Sequence, residues 1–297
     1  MAAEERNKSQ GAGSSFLGAA GARWWTASLL PALIGTTLPF WLRPPGFSFT
    51  WLGAIEFLLA TVLVHAGFAL LLTRHEGEPP AGWSASKLVG AAAVCLAAGA
   101  AIGLHLSAMV GGPIFIVFGL AALFVGVLYT LPPFSFSRRP FGEVVLSVGL
   151  GMLPLLGAYL VQTGDLTRRV YLASLPMVVS TGLWVWTLEL VRRVEDEKSG
   201  RGTLVTMFGP YFSGRVVVPV LAVLVYATLF GAVFTASMIP LALVSVLTFG
   251  LVRTTVAVSW SDHSSPKRMV EARVNAFKLH MAVGIIIAVS ALAALGG

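Results

Sequence analysis

The sequence predicts an all-α, polytopic membrane protein of about nine spanning helices. Two observations carry this. The chain is 56% hydrophobic and only 11% charged, with a mean hydropathy of +0.84, whereas soluble domains run near 25% charged. Its apolar residues also fall into nine continuous stretches, each about the 20 residues that a bilayer core requires.

The stretches run over 24–43, 51–73, 87–110, 113–131, 142–163, 170–191, 215–236, 238–259 and 275–296. Backbone groups in lipid find no water, so only helices or closed barrels can span it. Barrel strands are about ten residues long and alternate in polarity, so these continuous runs are helices. The third is dense in small residues (Gly90, Ala91, Ala92, Ala93, Gly99, Ala100, Ala101, Gly103), which suits close helix packing. Trp24, Trp25, Trp41, Trp51, Trp83, Tyr129, Tyr171 and Trp260 lie near span ends, as interfacial aromatics do. Residues 1–23 are polar and lack the pattern of a cleaved signal. They are expected to form a disordered cytoplasmic tail ahead of one transmembrane domain, 24–297.

Charge sets the orientation. With nine spans, the N-terminal tail and the loops after even-numbered spans share one side. That side holds Arg6, Lys8, Arg23, Arg74, Lys87, Arg138, Arg139, Arg192, Arg193, Lys198, Arg201, Arg215, Arg253, Lys267, Arg268, Arg273 and Lys278. The other side holds Arg43, Arg168 and Arg169. The positive-inside rule places the first side, with the N-terminus, in the cytoplasm and the C-terminus opposite. Topology thus explains the net charge of +7 without a nucleic-acid partner. The single cysteine, Cys95, excludes an intrachain disulfide or a cysteine metal cluster.

Most acids lie on the basic side: Glu76, Glu78, Glu143, Glu189, Glu195, Asp196, Glu197, Asp262 and Glu271. Loop acids are commonly just solvated. Glu189, however, lies within the sixth stretch, and an ionisable group at membrane depth usually faces a cavity or a partner. His65 lies inside the second stretch, where a hydrogen-bonded packing role competes with cavity lining. Asp262-His263-Ser264 supplies triad residue types, but adjacency in one loop is not triad geometry.

Several segments resemble the UbiA superfamily of intramembrane prenyltransferases, in particular its MenA-like branch. They are Trp25-Thr-Ala-Ser-Leu-Leu-Pro31-Ala-Leu-Ile-Gly35, Tyr129-Thr-Leu-Pro-Pro133, Gly151-Met-Leu-Pro154-Leu-Leu-Gly157-Ala-Tyr159, Gly200-Arg-Gly-Thr203-Leu204 and Asn275-Ala-Phe-Lys-Leu279-His280. They occur in the family's order across nearly the whole chain. The resemblance implies a helical bundle around a central, lipid-open cavity, most simply in the cytoplasmic membrane of a bacterium or archaeon. It implies transfer of an isoprenoid from its diphosphate to an aromatic, quinone-precursor or other lipophilic acceptor. It also implies magnesium held by two acidic motifs at the cytoplasmic ends of the second and sixth spans.

Both motifs are altered. The family's NDxxD becomes Leu72-Thr73-Arg74-His75-Glu76, counted from His65-Ala66-Gly67, and Glu78 follows. Its DxxxD becomes Arg192-Arg193-Val194-Glu195-Asp196. The resemblance therefore makes Glu76, Asp196 and Glu189 the catalytic candidates and Glu76, Glu78 and Asp196 the metal ligands. Arg74, Tyr129, Arg138, Arg192 and Lys198 are the diphosphate-binding candidates. Two arrangements stay open: a reduced magnesium site, or an arginine cradle that binds phosphate oxygens without metal. Three functional classes stay open with them: a transferase, a degenerate relative that binds or presents an isoprenoid lipid, and, least favoured, a transporter. A transporter normally shows internal repeats, and no convincing repeat is visible here.

Overall fold

A computed structural model describes residues 16–21, 24–76, 79–236 and 240–293. Its long helices are α1 (Trp25–Leu42), α2 (Trp51–Glu76), α3 (Ala85–Val110) and α4 (Pro113–Thr130). They continue with α5 (Gly142–Gly151), α6 (Leu153–Thr163), α7 (Arg168–Lys198), α8 (Leu204–Phe212), α9 (Val218–Ala236), α10 (Pro240–Asp262) and α11 (Pro266–Ala293). Among the described residues, eight helical segments are long and apolar enough to cross a membrane, with α5–α6 and α8–α9 each counted as one. The remaining predicted stretch, 238–259, is α10, which packs against α9 and α11.

Local sequence explains the breaks. The fifth stretch is two helices because Pro154 near the start of α6 has no N–H to continue α5. The seventh begins at 204 rather than 215. Thr203 caps α8 by accepting a hydrogen bond from the Thr206 N–H at 3.2 Å. Gly209, at φ +75°, then bends the chain before Pro210, and a π-turn over Ser213–Val217 leads into α9. Gly111 and Gly164, both with positive φ, close α3 and α6.

One half of the bundle is solid. Side chains of α1, α6, α7, α9 and α11 form its continuous core, including Ile34, Leu38, Tyr159, Met177, Leu183, Leu279 and Val283. Helices α1 and α6 approach so closely that a Cβ on Gly35 would lie 2.0 Å from the Leu155 carbonyl oxygen. The half built by α2–α5 is looser. Large apolar side chains such as Leu59, Val94, Val117 and Phe124 face outward, as lipid contact demands.

The N-terminal stretch departs from expectation. Phe16–Ala19 forms a helical turn. Ala19 and Ala20 are buried in a small cluster with Ala66, Leu70, Leu88 and Ala92. Small side chains let this turn lie flat on α2 and α3. The Trp25 indole N–H donates to Ala20 O at 3.0 Å, and the Thr73 hydroxyl to Ala19 O at 3.0 Å. Residues 1–15 and 22–23 of the expected tail lie outside the described residues.

Candidate functional site

A cavity of about 630 Å³ runs through the half of the bundle enclosed by α1–α7. Apolar side chains, among them Phe57, Val64, Phe68, Leu104, Leu123 and Leu150, make most of its wall. Two polar features interrupt that wall. One is Ser28 and His65, whose Oγ and Nδ1 lie 2.9 Å apart. The other is a charged cluster at the basic end, where Glu76, Tyr129, Glu189, Arg192 and Arg201 all line the cavity.

Arg201 organises the cluster. It is only 8% exposed, in the link between α7 and α8. Its guanidinium reaches Asp196 Oδ1 at 3.3 Å and Glu189 Oε1 at 3.5 Å. Its Nε–H donates to the carbonyl of Ser137, in a 3₁₀ turn after α4. The same turn accepts the Gly202 N–H at Arg138 O, 3.1 Å. The Ser137 hydroxyl in turn donates to Glu76 Oε1 at the end of α2. One arginine and one serine thus tie together the ends of α2, α4 and α7. Burial opposes the guanidinium charge. Glu189, Tyr129, Asp196 and Glu76 outweigh it and hold the Arg201 pKa above the ordinary arginine value.

Helix geometry explains the acids. Glu189 and Asp196 are seven residues apart on α7, two turns along one face, so both can reach Arg201. Glu189 Oε2 and Asp196 Oδ2 are buried without a protein partner. Arg192, one turn beyond Glu189, is exposed and lines the cavity.

The remaining candidates separate. Glu76, Glu189, Tyr129 and Arg192 converge on the cavity. Asp196 is buried, but its side chain is held by Arg201 rather than forming part of the cavity lining. Arg74, Arg138 and Lys198 are exposed and outside that lining. Arg138 instead reaches Ser199 O at 3.5 Å. Thr73 lines the cavity while its hydroxyl serves the N-terminal turn. Glu78 lies outside the described residues. Glu143, noted in the sequence only as one of the acids on the basic side, is 4% exposed and accepts the Leu204 N–H at 2.9 Å, which fastens the first turn of α8.

Arg201 and Ser137 are the residues that sequence reasoning missed as site residues. Arg201 sat in view inside Gly200-Arg-Gly-Thr203-Leu204, a basic residue in a tight link just after an acidic helix end. Ser137 carried no signal, since its role comes from the fold of the turn.

Comparison with known proteins places this arrangement. Residues 28–282 match the UbiA prenyltransferase family. Over 91 residues the chain is 30% identical to 1,4-dihydroxy-2-naphthoate octaprenyltransferase of Bacillus subtilis (strain 168), a match spanning 31% of this chain and 29% of that protein. A UbiA homologue from Aeropyrum pernix K1 superposes with a TM-score of 0.68 at 17% identity, covering 92% of this chain and 98% of the other. A UbiA homologue from Archaeoglobus fulgidus, solved bound to GPP and Mg2+, superposes with a TM-score of 0.66 at 15% identity over 92% and 99% of the two chains. The chain is an integral membrane protein and belongs to the UbiA prenyltransferase family.

Proposed function

We propose that this protein transfers an isoprenoid chain from its diphosphate to an aromatic, quinone-precursor acceptor at the basic end of the cavity. The observation that carries the reading is the placement of Glu76, Tyr129, Glu189, Arg192 and Arg201 at the mouth of a long apolar cavity. That is the division an isoprenyl diphosphate needs: charge at one end, hydrocarbon along the rest. The A. fulgidus homologue solved with GPP and Mg2+ supports the donor class. The B. subtilis naphthoate prenyltransferase supports the acceptor class. Segregation of arginine and lysine supports a cytoplasmic position for the charged end and the N-terminus.

In this reading Arg192 and Arg201 bind the diphosphate. Arg201 is the fixed member, its charge held by buried carboxylates. When the carbon–oxygen bond breaks, the electron pair leaves with the diphosphate, where both guanidinium groups stabilise it. The allylic cation remains beside the Tyr129 ring, whose face favours positive charge. Apolar walls keep water away until the acceptor carbon attacks. The acceptor then loses a proton to a nearby oxygen, for which Glu76 and Glu189 are the cavity-lining carboxylates.

Magnesium fits the residues present. Among the described residues there is no cluster of three or more His, Cys, Asp or Glu placed for a metal. Magnesium, however, commonly uses one or two carboxylates together with substrate phosphates. The second oxygen of Glu76 and the unpartnered Glu189 Oε2 are suited to that sharing, with Asp196 Oδ2 behind them. Bound there, the ion would neutralise the leaving diphosphate.

A second reading, binding of an isoprenoid without transfer, draws on Asp196, whose charge is committed to Arg201. One assay separates them. Purified protein receives radiolabelled geranylgeranyl diphosphate, magnesium and 1,4-dihydroxy-2-naphthoate. Transfer predicts a labelled lipophilic product. Binding of the label without product, across a panel of aromatic diols, would favour the second reading.

A further inference from the structure

We propose that α8 and the end of α10 form a binding site for an anionic phospholipid, in which Arg215 holds the phosphate and the exposed face of α8 lies against the acyl chains. The site is separate from the cavity and does not depend on the activity assigned there.

The chain builds this site at the bend between α8 and α9. Gly209 and Pro210 break the helix, and the π-turn over Ser213–Val217 carries Arg215. Such turns recur at functional sites. Gly214 brings the turn onto the end of α10, since a Cβ there would collide with His263 Cβ and the Ser259 carbonyl oxygen. That close approach sets Arg215 between two rings. Its guanidinium carbon lies 4.9 Å from the Tyr211 centroid and 5.6 Å from the Trp260 centroid. Its Nε–H donates to Trp260 O at 3.0 Å. The His263 ring stands perpendicular to Tyr211, centroids 5.6 Å apart, and braces the far side.

The guanidinium is therefore oriented before any ligand arrives. Its two terminal amino groups have no hydrogen-bond or ion-pair partner among the described residues. A planar fork held in this way can donate to two oxygens of one phosphate.

The surroundings select a lipid. Trp260 and Tyr211 are 53% and 61% exposed, the aromatic character of a membrane–water interface. Helix α8 buries Leu204 and Val205 and exposes Met207, Phe208 and Phe212. An apolar face beside a fixed cation suits a helix lying at the bilayer surface. Charge then selects the headgroup. Residues 204–268 hold Arg215, Arg253, Lys267 and Arg268 against Asp262 alone, and Asp262 already faces Arg268 at 3.6 Å. A headgroup with its own cation, as in phosphatidylcholine, finds no free acid in this stretch. Phosphatidylglycerol brings a net negative charge to a basic rim.

The experiment is native mass spectrometry of the full-length protein, given equal amounts of phosphatidylglycerol and phosphatidylcholine with the same acyl chains. Wild type should retain one phosphatidylglycerol with a preference of about tenfold. Arg215→Gln should lose that preference. Arg215→Lys, which keeps the charge but not the fork, should keep part of it. Lys87→Gln, which removes an exposed cation at the start of α3, should bind like wild type. Should Arg215→Gln fail to fold, Tyr211→Ser decides: it opens one side of the sandwich at an exposed position, and the preference should fall about threefold. Equal retention of the two lipids by wild type, an unchanged preference in folded Arg215→Gln, or a loss in Lys87→Gln as large as in Arg215→Gln would overturn the site. Displacement of phosphatidylglycerol by free glycerol phosphate would overturn it as well, marking a site for soluble phosphate instead of lipid.

Discussion

Replacing Arg201 by leucine removes the cation shared by Glu189 and Asp196. The three side chains are 9%, 5% and 4% exposed, so solvent cannot take over the screening. Breaking a buried ion pair from one side costs about 3–5 kcal/mol, because it strands an uncompensated charge. The cost falls toward the lower figure if the two carboxylates take up protons. At about 2–4 °C per kcal/mol for a chain approaching this size, the melting temperature in detergent should fall by roughly 6–12 °C. Diphosphate binding should fall with it, since one phosphate partner is gone. Arg201→Lys keeps the charge but loses the fork that reaches both acids and Ser137 O, so it should recover only part of each loss. The assay is tryptophan-monitored melting alongside direct binding of geranylgeranyl diphosphate. Adding Glu189→Gln to Arg201→Leu should restore part of the stability while binding stays low. An Arg201→Leu protein that melts and binds like wild type would refute the assignment of Arg201 as the organiser of the site.

Three further outcomes are expected. Glu76→Gln should lower transfer by about 10²-fold and leave melting within about 1 °C, because glutamine keeps an oxygen to accept the Ser137 hydroxyl; a product assay and a melt on one sample check both. Glu143→Ala leaves the Leu204 N–H without its acceptor, a loss of about 1–3 kcal/mol, and should lower melting while the affinity for geranylgeranyl diphosphate holds. Gly35→Ala forces a methyl against the Leu155 carbonyl, an overpacking cost of about 1–3 kcal/mol, visible as a lower melting temperature that Gly103→Ala, with open space at its Cβ, does not share.

The fold was legible because lipid imposes a simple rule on sequence. Continuous apolar runs of span length located each span, but the helices overrun them where charged turns follow: α7 continues to Lys198 past the predicted 191, and α11 starts at Pro266 ahead of the predicted 275. The break between α5 and α6 lies inside the stretch read as one span, because its residues are apolar throughout. What composition could not carry was short-range packing outside the spans. The turn Phe16–Ala19 looked like tail because it is too short to span, yet the small Ala19 and Ala20 let it lie against Ala66, Leu70 and Ala92. The start of the seventh segment was missed for a related reason. Arg215 reads as a loop residue, and only the Thr203 cap and the outward-facing Met207 and Phe208 make 204–212 helical.

Of the residues lining the charged end of the cavity, those on helices were legible in the sequence and those on links less so. Glu76, Glu189, Tyr129 and Arg192 were readable from motif position, and the cavity receives all four. Arg74, Arg138 and Lys198 were chosen for charge, and charge alone does not say which way an exposed side chain points. Asp196 was placed at the metal, but its strongest neighbour is Arg201. That pairing depends on how Gly200 and Gly202 fold the link back onto α7.

The account stands on one claim: the ends of α2, α4 and α7 together hold a diphosphate whose hydrocarbon tail runs toward Phe57. The direct measurement is an experimental structure with geranylgeranyl thiolodiphosphate, which binds without readily ionising. The account predicts the diphosphate among Glu76, Tyr129, Arg192 and Arg201, with the tail against Thr61 and Val64. Density for the headgroup elsewhere on the basic face, or a tail lying outside α2–α4 in the bilayer, would contradict it.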